Sequence, residues 1–536
     1  MSECVRARVT RRMKRKIKRL KVPERMATKV RLPYGTSEVE FAVETGVHSE
    51  AGVAVEVKEL ASAARTGEAA RKAEEERERH LEILREALKR PLKAKRLREI
   101  LRERFSERRK TAETAETAGN AEKGRGERGE REEEEAEGGR EIVIVVDDHT
   151  RSAPTEEMLD ALTAEISEAG GEEYLRRVKV LVACGTHSAP SEEELRRILG
   201  KHYGRFPVET HDCDADSLVF VGRTSRGTPV FLNATYVNAK MRGGVCVLTG
   251  DITLHYYAGF GGGRKSILPG IAGRETIRRN HALLVHENAR TANIDGNPVH
   301  EDMCEAAAMP LAKPDFVLNA VSDASGNLVA AFAGECDEVF KRGAAVAREL
   351  FVKRIREKYD ILVVSAGGFP KDRNLYLATK AIEHCKRAVA DGGSLILVAE
   401  CRDGVGDAVF EDWMNKYKTA EAVESAVKTN FVLGGHKAFY LRSTMRRIRI
   451  CVVSSLDAEM LENWGIQPYE SVQSAVECEL NLMLRHKEKM EEEEEGERKE
   501  GGKGAEVEKS GEELEKACGR RIKIGVVRNG MDVFLE

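Results

Sequence analysis

The sequence predicts an α/β protein with two domains, each built on a mainly parallel sheet flanked by helices. Short apolar, β-branched segments alternate with helical segments from residue 141, and again from residue 359. Apolar strands that are joined by helices form parallel sheets covered on both faces. The length of 536 residues is enough for two or three domains.

Three apolar strands make up the first series. They are EIVIVVDDHTR at residues 141–151, VKVLVACGTH at 178–187 and GGVCVLTGDITLH at 243–255. Ser191 and Glu194 have the spacing of a capping box, in which each side chain accepts a hydrogen bond from the other residue's backbone. This pattern predicts that a helix begins directly after the second strand.

Polar side chains follow the first two of these strands. Asp148 and Arg151 come directly after the first strand, and His187 ends the second. The carboxyl ends of parallel strands meet at one edge of a sheet, where ligands bind. We therefore expect these three side chains to converge.

The second series begins with DILVVSAGGFPKDRNLYLATKAIEHCKRAV at residues 360–389, which predicts a strand, a glycine turn and a helix. SLILVAEC at 394–401 and RIRICVVSS at 447–455 continue the pattern. Near the N-terminus, KVRLPYGTSEVEFAVE predicts two strands joined by a turn. A charged helix is predicted from about Val57 to Arg109, with a partial apolar stripe of leucines three and four residues apart.

Changes in composition predict the limits of the domains. The expected segments are a disordered basic leader (1–25), an N-terminal α/β cofactor-binding domain (26–355) with a charged, disordered insert at about 106–140, a C-terminal α/β domain (356–487), a charged low-complexity insert (488–518), and a hairpin-like C-terminal segment (519–536) that returns to the sheet of the first domain.

Composition excludes some classes of protein. The net charge of -3 gives no reason to expect binding to nucleic acid or to an anionic membrane, and no apolar run reaches the length of a membrane helix. The eleven cysteines include no C-x-x-C pair, so we expect reduced, mostly buried thiols in a cytoplasmic protein. The basic leader is either an arm for RNA or membrane, a disordered tail, or translation upstream of the true start.

The segment HYYAGFGGGRKSILPGIAGRETIRRNH, residues 255–281, combines a glycine run with two histidines and a lysine. Together with His187, the two histidines of this segment can transfer protons on opposite faces of one substrate carbon, because imidazole titrates near neutral pH. One of the three can instead bind a metal. Glycine allows a backbone to approach a phosphate or a planar ring closely.

The glycine run resembles a P-loop, but Arg264 replaces the glycine required before the lysine, and Pro269 interrupts the helix that should follow. Lys265 has two interpretations, since it can pair with a phosphate or act as a nucleophile and attachment point. Two further motifs remain ambiguous. HDCDAD at 211–216 is either a turn or a metal site, and GNPVHED at 296–302 is similarly open.

The chain resembles the nickel-pincer lactate racemase family, which comprises 2-hydroxyacid racemases and epimerases. The resemblance rests on DDHTRSAP, CGTHSAPSEEE, HDCDADSLVFVG, the whole 255–281 segment and GGFPKDRNLYLATK, and it extends over residues 141–485 and loosely over 28–58 and 75–105. It implies reversible hydride transfer from C2 of a 2-hydroxy acid through a 2-keto acid, with the active site in the interdomain cleft.

The resemblance also implies a role for each matching residue. His187 and His255 would be the acid/base pair, Lys265 would carry the pyridinium-3,5-bisthiocarboxylic acid mononucleotide covalently, and His281 would bind its nickel. Further cofactor contacts would come from Asp148, Arg151, Gly261, Gly262, Gly263 and Ser266, and substrate contacts from Arg151, Tyr376, Leu377 and Lys380. The implied partners are a small 2-hydroxy acid and the enzymes that assemble the cofactor.

One position departs from the family pattern. Leu377 replaces the glutamine that lactate racemases carry three residues before the lysine that corresponds to Lys380, so a substrate larger than lactate is an alternative. Two other functions remain open from the residues: a non-catalytic relative that binds nucleotide or phosphate, and an RNA-associated protein that uses the basic leader.

Overall fold

The computed structural model describes residues 26–47, 54–61, 71–105, 140–485 and 521–536. The predicted basic leader, the second charged insert and nearly all of the first lie outside the described residues. No helix in the described ranges is both long enough and apolar enough to cross a membrane.

The strands alternate with helices through most of the described chain. The strands are β1 (Met26–Tyr34), β2 (Ser37–Val47), β3 (Ala54–Ala61), β4 (Ile142–Asp147), β5 (Val178–Ala183), β6 (Val208–Thr210), β7 (Val219–Arg223), β8 (Pro229–Leu232), β9 (Val245–Asp251), β10 (Leu254–His255), β11 (Gly259–Phe260), β12 (Phe316–Ser322), β13 (Leu328–Gly334), β14 (Val352–Lys353), β15 (Tyr359–Ser365), β16 (Val389–Val398), β17 (Arg449–Val453), β18 (Gln467–Tyr469), β19 (Arg521–Val527) and β20 (Phe534–Leu535).

The helices are α1 (Arg71–Lys89), α2 (97–105), α3 (Thr155–Leu175), α4 (Glu192–Leu199), α5 (Ala234–Met241), α6 (Arg274–Ala282), α7 (Pro298–Ala308), α8 (Cys336–Phe351), α9 (Leu375–Cys385), α10 (Ala408–Lys416), α11 (Ala420–Thr429), α12 (Gly435–Met445), α13 (Ala458–Asn463) and α14 (472–485). Short 3₁₀ turns lie at Gly200–His202, Gly263–Ser266, Leu283–Val285 and Lys386–Ala388.

The chain divides into two compact units. The first unit comprises Ala64–Val352 and Glu421–His436, and the second comprises the remaining segments, Met1–Ala63, Lys353–Ala420 and Lys437–Glu536. The prediction of a two-domain α/β protein with mainly parallel sheets is confirmed.

The first unit contains a six-stranded sheet in the order β13-β12-β9-β4-β5-β6. Its strands are parallel except for β13, which runs antiparallel to β12. Ile142, Ile144 and Val146 of β4 are buried in one core with residues of α1 and α3. The parallel order brings the carboxyl ends of β4, β5 and β9 to one edge of the sheet, as the strand–helix alternation predicted.

The second unit contains an eight-stranded sheet in the order β1-β2-β3-β19-β15-β16-β17-β18. Six strands of this sheet are parallel to one another: β3, β19, β15, β16, β17 and β18. Strands β1 and β2 are antiparallel additions at one edge. Leu32 and Phe41 share a buried cluster with Ile361 of β15 and Ile524 of β19.

The structure divides the chain differently from the predicted boundaries. Strands β1 to β3 lie in the sheet of the second unit, although the N-terminal domain was predicted to begin at residue 26. The C-terminal segment is not a hairpin and does not return to the sheet of the first unit, because β19 pairs in parallel with β3 and β15 in the sheet of the second unit. Local alternation identifies a strand, but its partner is chosen by contacts between residues hundreds of positions apart.

The predicted long helix is also corrected. Its first residues form β3, and its remainder is divided into α1 and α2 by a break next to Pro91. Proline disfavours helical backbone at the residue before it, so α1 ends at Lys89. The predicted leucine stripe is confirmed, because Leu81, Leu84 and Leu88 are all buried.

Candidate functional site

A carboxylate–imidazole pair lies after β4 and β5. His187 Nδ1 is 2.6 Å from Asp148 Oδ2, and the Thr150 hydroxyl donates to the other carboxylate oxygen at 2.6 Å. Burial opposes ionisation of Asp148, but its bonds to His187 and Thr150 and the charge of Arg151 outweigh burial and lower its pKa. An ionised Asp148 accepts the Nδ1 proton of His187, which leaves the lone pair of the neutral ring on Nε2.

A second imidazole is paired with an amine. His255, in the short strand β10, has its Nε2 2.9 Å from Lys265 Nζ, and its Nδ1 accepts from the Ala258 backbone N–H at 3.3 Å. An Nδ1 that accepts leaves the proton of a neutral ring on Nε2. The Lys265 nitrogen that faces this N–H is then an acceptor, which requires the uncharged amine.

The electrostatics of Lys265 favour the same protonation state. Burial and the charges of Arg151 and Arg264 lower the pKa of Lys265 well below its ordinary value, against the opposing effect of Asp147 and Asp251. The pKa of His255 is also well below its ordinary value, chiefly because of burial, with a further contribution from the charge of Arg151. Both shifts favour an uncharged amine beside a neutral imidazole.

The two pairs and His281 share one electrostatic environment. The charge of Arg151 acts on Asp148, His255 and Lys265, although Arg151 itself is exposed. Protonation of His281 would oppose protonation of His255, and protonation of Lys265 would oppose protonation of His281. The structure thus brings together the predicted polar residues of the first unit. It adds Asp147, whose pKa is raised to about 7 by burial and by Asp251.

Arg264 holds the glycine run in place. Its guanidinium donates to the carbonyl oxygens of Ala258, Phe260, Gly261 and Gly262 at 2.8–3.3 Å. It also lies 3.9 Å above the ring of Phe340. The residue that excluded a P-loop therefore organises the backbone that presents Lys265.

The glycines and Ser266 are packed against protein. A Cβ at Gly262 would lie 2.4 Å from Ile252, one at Gly263 would lie 3.2 Å from Phe340, and both glycines have positive φ. A Cβ at Gly261 would lie 3.3 Å from the Asp251 carbonyl oxygen. The Ser266 hydroxyl is buried and donates to the Thr249 carbonyl. These contacts show that packing within the loop accounts for the glycines and for Ser266. From the sequence, the glycines had instead been interpreted as positions where a ligand approaches the backbone.

His281 is buried on α6 between two aromatic rings. Tyr257 and Phe431 contact it edge-on, with ring centroids 5.0 and 5.4 Å away. Its Nδ1 lies 3.0 Å from Asn280 Oδ1. Burial is the main cause that lowers its pKa well below the ordinary value, which favours a neutral ring in which one nitrogen carries a lone pair.

Phe431 and His436 reach this site from a distant part of the sequence. They belong to Glu421–His436, which lies between two segments of the second unit but is part of the first. His436 also contacts Tyr257, with ring centroids 6.0 Å apart. No motif in the sequence indicated these residues, because an aromatic near the end of an ordinary helix has no chemical signature.

Three of the four predicted substrate residues, Tyr376, Leu377 and Lys380, lie on α9 of the second unit, whereas Arg151 belongs to the first. Tyr376 and Lys380 are half-buried, and Leu377 is 36% exposed. Lys437 of α12, which the sequence analysis missed, donates to the Tyr376 carbonyl at 2.8 Å and to the Thr379 hydroxyl at 3.1 Å. Burial and the charge of Lys380 lower the pKa of Lys437 to about 7.

The ambiguous HDCDAD motif forms a turn. Asp214 is bonded twice to Arg274 at 2.6 Å, and Asp212 accepts from the Asp214 backbone at 2.9 Å. Asp212, Cys213 and Asp214 place their ligand atoms within 4.8 Å of one another, but these bonds already account for the two acids. The cysteines of the described residues are free, and most of them are buried.

The parallel α/β unit contains an Asp–His pair, an amine–His pair and a buried histidine, which are the groups that acid–base enzymes use. Comparison with known proteins identifies its family. Residues 128–292 match the lactate racemase N-terminal domain, and residues 355–490 match the lactate racemase C-terminal domain. The chain belongs to the lactate racemase family, and it is an isomerase of the racemase class.

Individual relatives agree with this assignment. The chain is 35% identical to the lactate racemase of Thermoanaerobacterium thermosaccharolyticum over 298 residues, which are 54% of this chain and 67% of that protein. It is 33% identical to the lactate racemase of Lactiplantibacillus plantarum over 279 residues, 51% of this chain and 63% of that protein. The T. thermosaccharolyticum lactate racemase apoprotein has the same fold, with a TM-score of 0.68, 24% identity and coverage of 95% of this chain and 100% of that one.

Proposed function

We propose that this protein racemises or epimerises a 2-hydroxy acid, lactate or a larger relative, with His187 and His255 as the acid/base pair. The observation that carries the proposal is the joint presence of the Asp148–His187 and Lys265–His255 pairs within one electrostatic environment. Racemisation at C2 requires proton transfer to and from the hydroxyl oxygen for either enantiomer, and two imidazoles can supply it.

The residues present fit a nickel-pincer nucleotide. The uncharged amine of Lys265 is the form that acylation and thioacylation require, and the neutral ring of His281 can offer a lone pair to nickel. Lys265 would hold the nucleotide covalently, and His281 would bind its metal. When bound, this group supplies a reversible hydride acceptor for C2 of the substrate.

The chain's own residues would handle the protons. Asp148 holds the Nδ1 proton of His187, so Nε2 can remove the hydroxyl proton of one enantiomer. His255 would serve the other enantiomer. The positive charge of Arg151, exposed near both pairs, would attract an anionic group of the substrate or the nucleotide.

The family resemblance supports Lys380 as the residue that binds the substrate carboxylate, with Tyr376 and Leu377 beside it on α9. Leu377 presents an apolar surface where the family pattern has an amide, which favours a substrate with a larger or more apolar side chain. Cofactor-assembly enzymes would be partners in loading. The free thiols of the described residues support a cytoplasmic location.

A loading experiment tests the proposal. The protein is produced with the cofactor-assembly enzymes, and we expect a mass increment on Lys265, bound nickel, and interconversion of enantiomers by chiral chromatography across a panel of 2-hydroxy acids. Lys265→Arg should lack the increment. His187→Ala and His255→Ala should keep increment and nickel while losing about 10²- to 10⁴-fold in rate.

Each other outcome has a distinct meaning. A wild-type protein that lacks the increment under these conditions contradicts the cofactor assignment. An increment without turnover on any acid of the panel favours the alternative of a binding protein that has lost racemisation. Turnover of lactate alone contradicts the argument from Leu377.

A further inference from the structure

A buried hydrogen-bond chain supports the predicted nickel ligand. Asn280 precedes His281 on α6, and Asp302 lies in the first turns of α7; both are fully buried. Asn280 Oδ1 faces His281 Nδ1 at 3.0 Å, and Asn280 Nδ2 donates to Asp302 Oδ2 at 2.9 Å. We propose that Asn280 and Asp302 are positioning residues that fix His281 in the tautomer whose Nε2 lone pair binds the metal.

The neighbours of Asn280 determine which way its amide points. Its Nδ2 lies 3.1 Å from the Val299 carbonyl oxygen as well as 2.9 Å from Asp302. A carbonyl oxygen and a carboxylate only accept hydrogen bonds, so the NH₂ group must face both. The amide oxygen is left to face His281, and it can only accept the Nδ1 proton. The Nε2 atom of a neutral His281 therefore carries the lone pair.

Asp302 is itself held by the turn between β7 and β8. The Thr224 hydroxyl donates to Asp302 Oδ1 at 2.5 Å, and the Thr228 hydroxyl donates to Oδ2 at 2.9 Å. With Asn280, three donors converge on this buried carboxylate. The turn, α7 and α6 are thus connected by one chain of bonds that ends at the His281 ring.

Such a chain matters for a metal site because a histidine binds through the nitrogen that has no proton. Partners of the other ring nitrogen fix tautomer and orientation, and their loss lowers metal affinity by about 10- to 100-fold. Tyr257 and Phe431 already restrict the plane of the ring. The chain from Asp302 adds control of the proton, which aromatic packing cannot supply. This inference rests on the proposed role of His281 as the nickel ligand.

The sharpest variant is Asp302→Asn, which preserves shape but can offer an NH₂ group to Asn280. The Asn280 amide can then turn, present its own NH₂ to His281 and favour the wrong tautomer. In loaded protein we expect nickel to dissociate about 10- to 100-fold faster than from wild type, while the mass increment on Lys265 is retained. Asn280→Ala should have the same effect, because it removes the acceptor.

Thr276→Val is the matched control. Thr276 is buried on the same helix and accepts from the Phe231 backbone at 3.0 Å. The variant loses a buried hydrogen bond of similar kind outside the chain that ends at His281. We expect it to lose stability but to release nickel at the wild-type rate.

A second readout needs no cofactor. In unloaded wild-type protein with ¹³C-labelled histidine rings, the carbon shifts of His281 should report the Nδ1–H tautomer, with assignment by loss of the signal in His281→Gln. An Nε2–H tautomer in wild type overturns the inference, even if both variants fail to fold. Wild-type nickel retention in Asp302→Asn and Asn280→Ala also overturns it. If wild-type protein lacks the mass increment on Lys265, the proposed function is contradicted. The His281 tautomer in unloaded protein then still decides whether this inference about Asn280 and Asp302 holds.

Discussion

Asp148 Oδ2 and His187 Nδ1 lie 2.6 Å apart, after two neighbouring parallel strands of the first unit. Asp148 is buried, whereas the side chain of His187 remains 31% exposed. The carboxylate is thus fixed by the fold, and the imidazole is partly accessible to solvent. This is the arrangement of a general base oriented by a carboxylate.

Asp148→Asn should reduce kcat by about 10²- to 10⁴-fold with little change in KM, because an amide can hold His187 in the wrong tautomer. Chiral chromatography of the product gives the rate. Thr150→Val removes the hydroxyl that donates to the other carboxylate oxygen and lies 3.3 Å from His187 Nδ1, but it leaves the Asp148–His187 bond, so it should have a much smaller effect. If kcat falls equally in the two variants, Asp148 does not act by controlling the tautomer of His187.

The lowered pKa of Asp148 also predicts a pH dependence of stability. Its folded pKa lies below that of the unfolded chain, so it stabilises the protein above the unfolded value of about 3.9 and loses this contribution as pH falls through the folded pKa. The difference in unfolding free energy between wild type and Asp148→Asn should therefore shrink below about pH 4. A difference that grows toward acid pH would contradict this sign.

Lys265 should react with amine acylating reagents near pH 7 in the unloaded protein. Burial and the charges of Arg151 and Arg264 lower its pKa, so its free base is present where ordinary lysines are protonated. Lys341, whose pKa is raised by its bond to Asp337, is an internal control that should react slowly. Mass spectrometry of peptides measures both rates.

Arg151→Met should slow the labelling of Lys265 at pH 7, because removal of a nearby positive charge raises the lysine pKa. The labelling of Lys341 should be unaffected. Reaction of Lys265 that begins only above about pH 9 in wild type would exclude a free amine at neutral pH.

Arg264→Met should destabilise the first unit by about 3–5 kcal/mol, because four carbonyl oxygens lose a charged donor inside the protein. Urea unfolding followed by circular dichroism measures the change. Arg279→Met is the control: its side chain is 67% exposed and pairs with Glu275 on the surface, so the expected change is below about 1 kcal/mol.

Lys437→Met should have a higher unfolding free energy than wild type at neutral pH, and the difference between the two proteins should decrease as pH rises. The folded pKa of Lys437, about 7, lies below that of the unfolded chain. Between about pH 7 and 10 the unfolded state binds a proton that the folded state does not, so wild-type stability gains from this residue as pH rises. The difference in unfolding free energy between Lys437→Met and wild type is measured at pH 7 and at pH 9.5. A difference that is the same at both pH values would rule out titration of Lys437.

Leu377→Gln should shift specificity toward lactate, because it restores the amide of the family pattern beside Lys380. We expect the ratio of kcat/KM for lactate to that for a larger 2-hydroxy acid to rise about 10-fold or more, as one well-placed polar contact allows. Leu377→Met, which keeps the side chain apolar and unbranched, is the control. An unchanged ratio in Leu377→Gln would remove this residue from the substrate site.

Strand periodicity and strand-end chemistry could be predicted from the sequence because they depend on local order. The apolar runs that became β4, β5 and β9 identified a parallel sheet, and this sheet brought Asp148 and His187 together as expected. The positions of β1 to β3 and β19 could not be predicted. Their partners are distant in sequence, and an alternating strand fits any edge with complementary apolar residues.

The sequence by itself identified the side chains that are proposed to carry the chemistry: His187, His255, Lys265 and His281, each marked by its motif. Tertiary structure decided their protonation states. Burial and neighbouring charges favour the free base of Lys265, Asp148 faces Nδ1 of His187, and Asn280 Oδ1 faces Nδ1 of His281. Spacing along a chain carries no information about desolvation or about which atoms face one another, and these set the pKa and the tautomer.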